Sequence, residues 1–180
     1  MLLNNKKGFS LLELVMVCLM IGILTSIAVP KYRRAVDRAR VGEAVTLVHS
    51  IYDSCERYAW ENGPWTLDNG LSSRTCATAV AKGGATFRNL DITIKGTYSD
   101  NGKTLFTNNF DYELTGFAGI PIIATYNKAN NPYNGAKIYL DSNMHLQCDA
   151  SGTEPGEGQK ACEVWGASTW NQDGASGYWK

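Results

Sequence analysis

Polar and apolar positions divide the chain into three regimes. The first is an apolar run from Phe9 to Val29, 21 residues long, whose only charge is Glu13. About 20 apolar helical residues cross a hydrocarbon core roughly 30 Å thick, so this run is long enough to span a bilayer. Pro30 follows directly. A proline inside a helix removes one hydrogen bond and crowds the preceding turn. A helical pattern resumes at once, so Pro30 predicts a kink rather than a stop. In the second regime Val41, Ala44, Val45, Val48, Ile51, Tyr52, Cys55, Tyr58 and Ala59 form the stripe of an amphipathic helix. Asp53 with Arg57, and Arg57 with Glu61, lie four apart on the exposed side, where ion pairs are expected. Asn62-Gly63-Pro64 ends the pattern, with glycine available for a left-handed cap. A helix from Phe9 to Asn62 is roughly 80 Å long at ~1.5 Å per residue.

The third regime changes period. Residues 63–86 read as loop, with Gly63-Pro64, Asn69-Gly70, Ser72-Ser73 and Gly83-Gly84 as turn formers. Four strand candidates follow. Leu90–Lys95 and Phe110–Thr115 alternate apolar and polar residues. Ile120–Tyr126 is short and apolar, with Pro121 near its start, where proline is tolerated. Ala136–Cys148 carries Ile138, Leu140, Met144 and Leu146. Asn101-Gly102 and Asn134-Gly135 mark turns. Short spacing without intervening helices predicts an antiparallel sheet, with the apolar face of residues 41–59 covering one side. Residues 149–180, rich in Gly, Ser, Trp and Asn, predict an irregular cap on the sheet edge. The fold class is therefore α+β: a long N-terminal helix packed on a small antiparallel sheet.

Composition excludes some functions. Charged residues make up 19% of the 180 and formal net charge is zero, so neither disorder nor nucleic-acid binding is expected. Residues 63–180 hold nine basic and eleven acidic side chains, a slightly acidic surface unsuited to phosphate contacts. The two histidines, His49 on the helix and His145 in the fourth strand candidate, belong to no catalytic motif. No enzymatic activity and no cofactor are expected. Cys18, Cys55, Cys76, Cys148 and Cys162 lack zinc-ligand spacing. Cys18 lies in the apolar run and reads as a small hydrophobe. The other four predict disulfides in an oxidising compartment, with three possible connectivities. Asp149-Ala150-Ser151-Gly152-Thr153-Glu154 offers oxygens near a glycine and is the one calcium candidate.

Lys31, Arg33, Arg34, Arg38 and Arg40 follow the span, against Lys6 and Lys7 before it. A count of basic residues alone would leave the large domain in the cytoplasm; the cysteines place it outside. The basic run itself can meet lipid headgroups, acidic groups of neighbouring subunits, or DNA, the first being the ordinary fate of cations beside a span.

An acid inside a membrane segment costs on the order of 2.5–3.5 kcal/mol even on insertion scales. Glu13 therefore needs a partner, or a position near enough to the end to snorkel. A secretory signal peptide, with Ser26-Ile27-Ala28 as its cleavage site, would explain the apolar run. It leaves the sequence around Glu13 unexplained. Lys7-Gly8-Phe9-Ser10-Leu11-Leu12-Glu13-Leu14 closely resembles the class III signal of type IV prepilins and type II secretion pseudopilins. The resemblance covers Lys6 to about Arg34, more loosely the helix to Asn62. It implies that a prepilin peptidase cuts between Gly8 and Phe9 and N-methylates Phe9, so that Met1–Gly8 is a leader. The rest then divides into a transmembrane and polymerising half-helix (9–30), an amphipathic half (31–62) and an extracytoplasmic globular domain (63–180). When subunits stack, the Glu13 carboxylate of one can pair with the Phe9 ammonium of the next and set the register. Pairing of sequence neighbours gives Cys55–Cys76 and Cys148–Cys162. The second loop is similar to the C-terminal disulfide loop of type IV pilins. The function implied is a pilus subunit: a single-pass inner-membrane protein in contact with lipid and an inner-membrane assembly platform, then a helical homopolymer at the cell surface. The alternatives are a type II secretion pseudopilin and a signal-anchored extracytoplasmic binding domain that never polymerises.

Overall fold

The computed structural model describes residues 8–117, 120–129, 131, 133–140, 144–150, 158–167, 169–170 and 176–178, with only the backbone of 158–160, 169–170 and 176–178. Helix α1 runs Leu11–Asn62 and includes Pro30. Two compact units divide the chain, one up to Asp37 and one from Arg38 onward.

In the second unit Val41, Ala44, Val48, Ile51, Cys55 and Ala59 of α1 are buried, the apolar stripe read from the sequence. The helix ends at Asn62 without a left-handed residue. Asn62 Nδ2 donates to the Tyr58 carbonyl (3.0 Å) and the Gly63 amide to the Ala59 carbonyl (3.0 Å). Gly63 is needed for closeness, since a Cβ there would lie 2.6 Å from the Ala59 carbonyl oxygen.

The segment expected to be loop contains strands β1 (Trp65–Thr66) and β2 (Ser72–Ser73), paired antiparallel, and helix α2 (Cys76–Ala81). Thr75 caps α2 by accepting from the Thr78 amide. Six residues are too few for a periodic signal, which is why the turn formers around them dominated the reading.

The main sheet contains β3 (Thr97–Tyr98), β4 (Thr104–Phe106), β5 (Phe110–Phe117), β6 (Ile120–Tyr126), β7 (Lys137–Leu140), β8 (Leu146–Asp149), β9 (Thr169–Trp170) and β10 (Ser176–Tyr178). Its order is β3-β4-β5-β6-β7-β8-β10-β9, every pairing antiparallel. One row of paired positions crosses it: Leu105, Tyr112, Ala124, Ile138 and Cys148. All five are buried, as side chains on one face of successive strands must be if that face meets the core. Burial, and secondarily Glu43, pushes the Tyr112 phenol up from its ordinary pKa.

Three further expectations are corrected. Among the described residues Leu90–Lys95 pairs with no strand. Leu90, Ile92 and Ile94 do pack toward the core, but Asp91 accepts from Ser54 and Arg57 of α1. Alternation reports which side is buried, not what pairs with the backbone. Ala136–Cys148 is two strands, β7 and β8, separated at Met144, whose φ of 63° is left-handed; His145 precedes β8 and lies outside it. Asn101-Gly102 is a turn, as expected, and joins β3 to β4 in a hairpin whose strands lie outside the four strand candidates. The tail is not an irregular cap. Helix α3 (Gly158–Trp165) precedes β9, and β10 pairs with β8, so the tail extends the sheet.

Candidate functional site

In the first unit Gly8 and Phe9 have no regular structure and are exposed, Phe9 at 83%. A Cβ added at Gly8 would meet nothing within 4 Å, so nothing in the fold calls for glycine there. Ser10 starts the helix: its Oγ accepts from the Glu13 amide (3.2 Å), and its carbonyl accepts from the Leu14 amide (3.2 Å). Ser10-Leu11-Leu12-Glu13 is the S-x-x-E spacing of a capping box, a signal legible in the sequence and missed there. Glu13 thus occupies the first turn of α1, where the unpaired amides of the helix end favour a negative charge.

Beyond Glu13 the apolar run is uncovered: Leu12, Leu14, Met16, Leu19, Ile23, Leu24 and Ile27 are all exposed, as is Cys18. No residue in the most apolar stretch is buried. The polar groups within it are satisfied by the helix itself. Thr25 Oγ1 donates to the Ile21 carbonyl (2.8 Å) and Ser26 Oγ to the Ile23 carbonyl (2.7 Å). Such a helix shows an apolar solvent no unmade backbone hydrogen bond over its middle. Pro30 has no amide to offer the Ser26 carbonyl, yet α1 continues through it.

The basic run separates into two groups. Lys31, Arg33 and Arg34, in the first unit, are exposed. In the second unit Arg38 Nε donates to the Val164 carbonyl in the last turn of α3 (2.7 Å), and Arg40 Nη1 donates to the Tyr126 hydroxyl (3.3 Å). A cation at the carbonyl end of a helix is favourably placed. Arg57 also departs from expectation. It makes a forked contact with Asp91 (2.9 Å to each oxygen) rather than an i, i+4 pair with Asp53 or Glu61. The Ser54 hydroxyl, and then Arg57, hold the exposed Asp91 carboxyl below the usual carboxylate range.

Cys55–Cys76 joins α1 to α2, 21 residues apart, and Cys148–Cys162 joins β8 to α3, 14 residues apart. The Cys76 amide also donates to Glu56 Oε1 (3.0 Å). Near the second bridge Trp165 packs against Phe110 and Tyr126, ring centroids 6.1 and 5.7 Å away. Asp149 is in β8; Ser151–Glu154 of the calcium candidate, and Met1–Lys7 of the leader, lie outside the described residues. Among the described residues no three His, Cys, Asp or Glu side chains gather into a group able to hold a metal.

A helix beginning one residue after an exposed Gly8-Phe9 junction, capped at Ser10, acidic at Glu13 and then bare and apolar, is the site to be explained. The prokaryotic N-terminal methylation motif matches residues 3–29. A fimbrial protein of Neisseria meningitidis serogroup A / serotype 4A is 28% identical over 74% of this chain and 88% of its own length. The type IV major pilin protein PilE of Neisseria gonorrhoeae is 35% identical over 43% of this chain and 46% of its own. The fimbrial protein EcpC of Eikenella corrodens is 39% identical over 40% of this chain. The chain thus spans less than half of the last two relatives, at 46% and 47% of their lengths. No solved structure matches it. The chain thus carries the prokaryotic N-terminal methylation motif at its head, and its long apolar-then-amphipathic helix and antiparallel sheet belong to a chain similar to fimbrial proteins and a type IV major pilin.

Proposed function

We propose that the chain is a structural subunit of a type IV pilus. A prepilin peptidase removes residues 1–8 at the Gly8–Phe9 bond and methylates the Phe9 nitrogen. The product waits in the inner membrane, with residues 9–30 in lipid and the sheet-bearing domain on the extracytoplasmic side. An inner-membrane assembly platform then adds it to a helical homopolymer, in which residues 9–30 pack against other copies and the Phe9 ammonium meets Glu13 of a neighbour. Pro30 loosens the helix where the span ends. The role is structural, and no cofactor enters it.

One observation carries this reading. The apolar half of α1 is exposed on every side, a state that water does not tolerate. Lipid covers it before assembly, and identical helices cover it afterwards. Glu13 fits the same account, because breaking up a paired charge is costly only when the surroundings are apolar.

The test is mass spectrometry of the native N-terminus, combined with imaging of filaments sheared from the cell surface. A methylated Phe9 as first residue, in a protein that makes up those filaments, is the expected result. An intact Met1, or a cut near Ala28, would refute the assignment.

A further inference from the structure

We infer that Lys31, Arg33 and Arg34 form a collar that binds the phosphates of anionic phospholipids at the extracytoplasmic surface of the bilayer. This rests on the reading of residues 9–30 as membrane-embedded. The helix from Leu11 to Pro30 has 20 residues. At ~1.5 Å each that is about 30 Å, the thickness of the hydrocarbon core. With the first turn at one boundary, Lys31 emerges at the other, at headgroup level.

Successive helical positions turn by about 100°. Arg33, Arg34 and Lys31 therefore share one broad side of the helix, and Tyr32, 70% exposed, points to the other. A tyrosine amid cations is the composition of a membrane–water interface. The guanidinium forks of Arg33 and Arg34 match phosphate oxygens two at a time. Among the described residues none of the three cations has a hydrogen-bond or ion-pair partner. The nearest carboxylate along the chain, Asp37, already has one. Arg38 and Arg40 are excluded from the collar because they hold Val164 and Tyr126. What remains is three uncompensated positive charges at the depth of the lipid phosphates, continuous with an apolar surface that lipid covers. A zwitterionic headgroup sets its own cation beside its phosphate and brings no net negative charge; phosphatidylglycerol brings one per lipid.

The experiment uses the full mature chain reconstituted, unassembled, in vesicles of phosphatidylcholine with 30% phosphatidylglycerol. Spin-labelled versions of each lipid report which one populates the protein's boundary shell. A basic side chain near an anionic surface is worth about five-fold in association. Wild type should favour the labelled phosphatidylglycerol by about five-fold or more, and 1 M salt should erase the preference. Lys31→Gln/Arg33→Gln/Arg34→Gln should bring the ratio near one, while Arg88→Gln, an exposed cation in the globular unit, should leave it unchanged. Circular dichroism confirms that each variant is folded. No preference in wild type, or full preference in the triple variant, overturns the collar. A triple variant that keeps its lipid preference but makes no filaments assigns these cations to acidic groups of a neighbouring copy instead. Failure of wild type to enter vesicles at all refutes the membrane-embedded reading beneath it.

Discussion

Glu13 has two supports that act at different stages. In the single subunit it sits in the first turn of α1, above a helix end whose amides favour an anion, with its own amide capped by Ser10. In the proposed filament the Phe9 ammonium of a neighbour neutralises it. Glu13→Ala keeps the Ser10 cap, since that bond uses the backbone amide, and removes only the carboxylate. If the acid merely snorkelled, the change would relieve a cost. Paired, it strands a positive charge in an apolar bundle at every subunit, and breaking a buried pair costs about 3–5 kcal/mol. We expect correctly cleaved Glu13→Ala protein with a folded globular unit and few or no filaments; Glu13→Gln should resemble it. Abundant filaments would remove the pairing from the account. Asp91 makes a smaller prediction of the same kind. Its folded pKa is depressed, so its contribution to stability is present above its ordinary value near 3.8 and lost as pH falls through the lower folded value. Thermal melts of the globular unit from pH 6 downward should show this acid-side loss, and Asp91→Asn should flatten it. An unchanged slope would mean that the Ser54 and Arg57 contacts do not persist in solution.

Among the elements, legibility follows period and length. The stripe on α1 repeats over five turns, and its buried positions were readable from Val41 to Ala59. Strands β5 and β6 were readable too, as runs ending in turn formers. Helix α2 was not, because its docking is set by a close approach that a single sequence does not display. Gly116 of β5 meets α2 at Ala81: a Cβ at 116 would lie 2.8 Å from the Ala81 Cα and 2.9 Å from its Cβ. Gly116→Ala must push two backbones apart, and overpacking of this kind costs about 1–3 kcal/mol. Urea denaturation should show that loss, and Gly22→Ala, whose Cβ would meet nothing, provides the control. Equal midpoints for Gly116→Ala and wild type would show that α2 is not held there. At the functional end, the Gly8-Phe9 junction and Glu13 were legible as a motif. The Ser10 cap was legible but overlooked. The split of the basic run was not legible at all, since only the fold brings Val164 and Tyr126 to Arg38 and Arg40.

At the scale of the whole molecule, the sheet is extended by its last strands, which return to β8, and each bridge ties a helix to a neighbouring piece of the core. Non-reducing peptide mapping should recover Cys55 with Cys76 and Cys148 with Cys162, and Cys18 as a thiol. A Cys55–Cys162 peptide would overturn the pairing. Cys55→Ser/Cys76→Ser should cost about 3 kcal/mol if bridging acts mainly through the unfolded chain. The same bridges decide how the subunit answers a pull. Tension applied through α1 reaches Cys55 and passes covalently to Cys76, bypassing the β1–β2 hairpin, and a second shunt runs from Cys148 to Cys162. Stretches of 21 and 14 residues are thereby withheld from extension. An oxidised subunit pulled apart between its ends should yield a shorter thread than a reduced one, by about 3.5 Å for each withheld residue. The bridges make the protein a link of limited give.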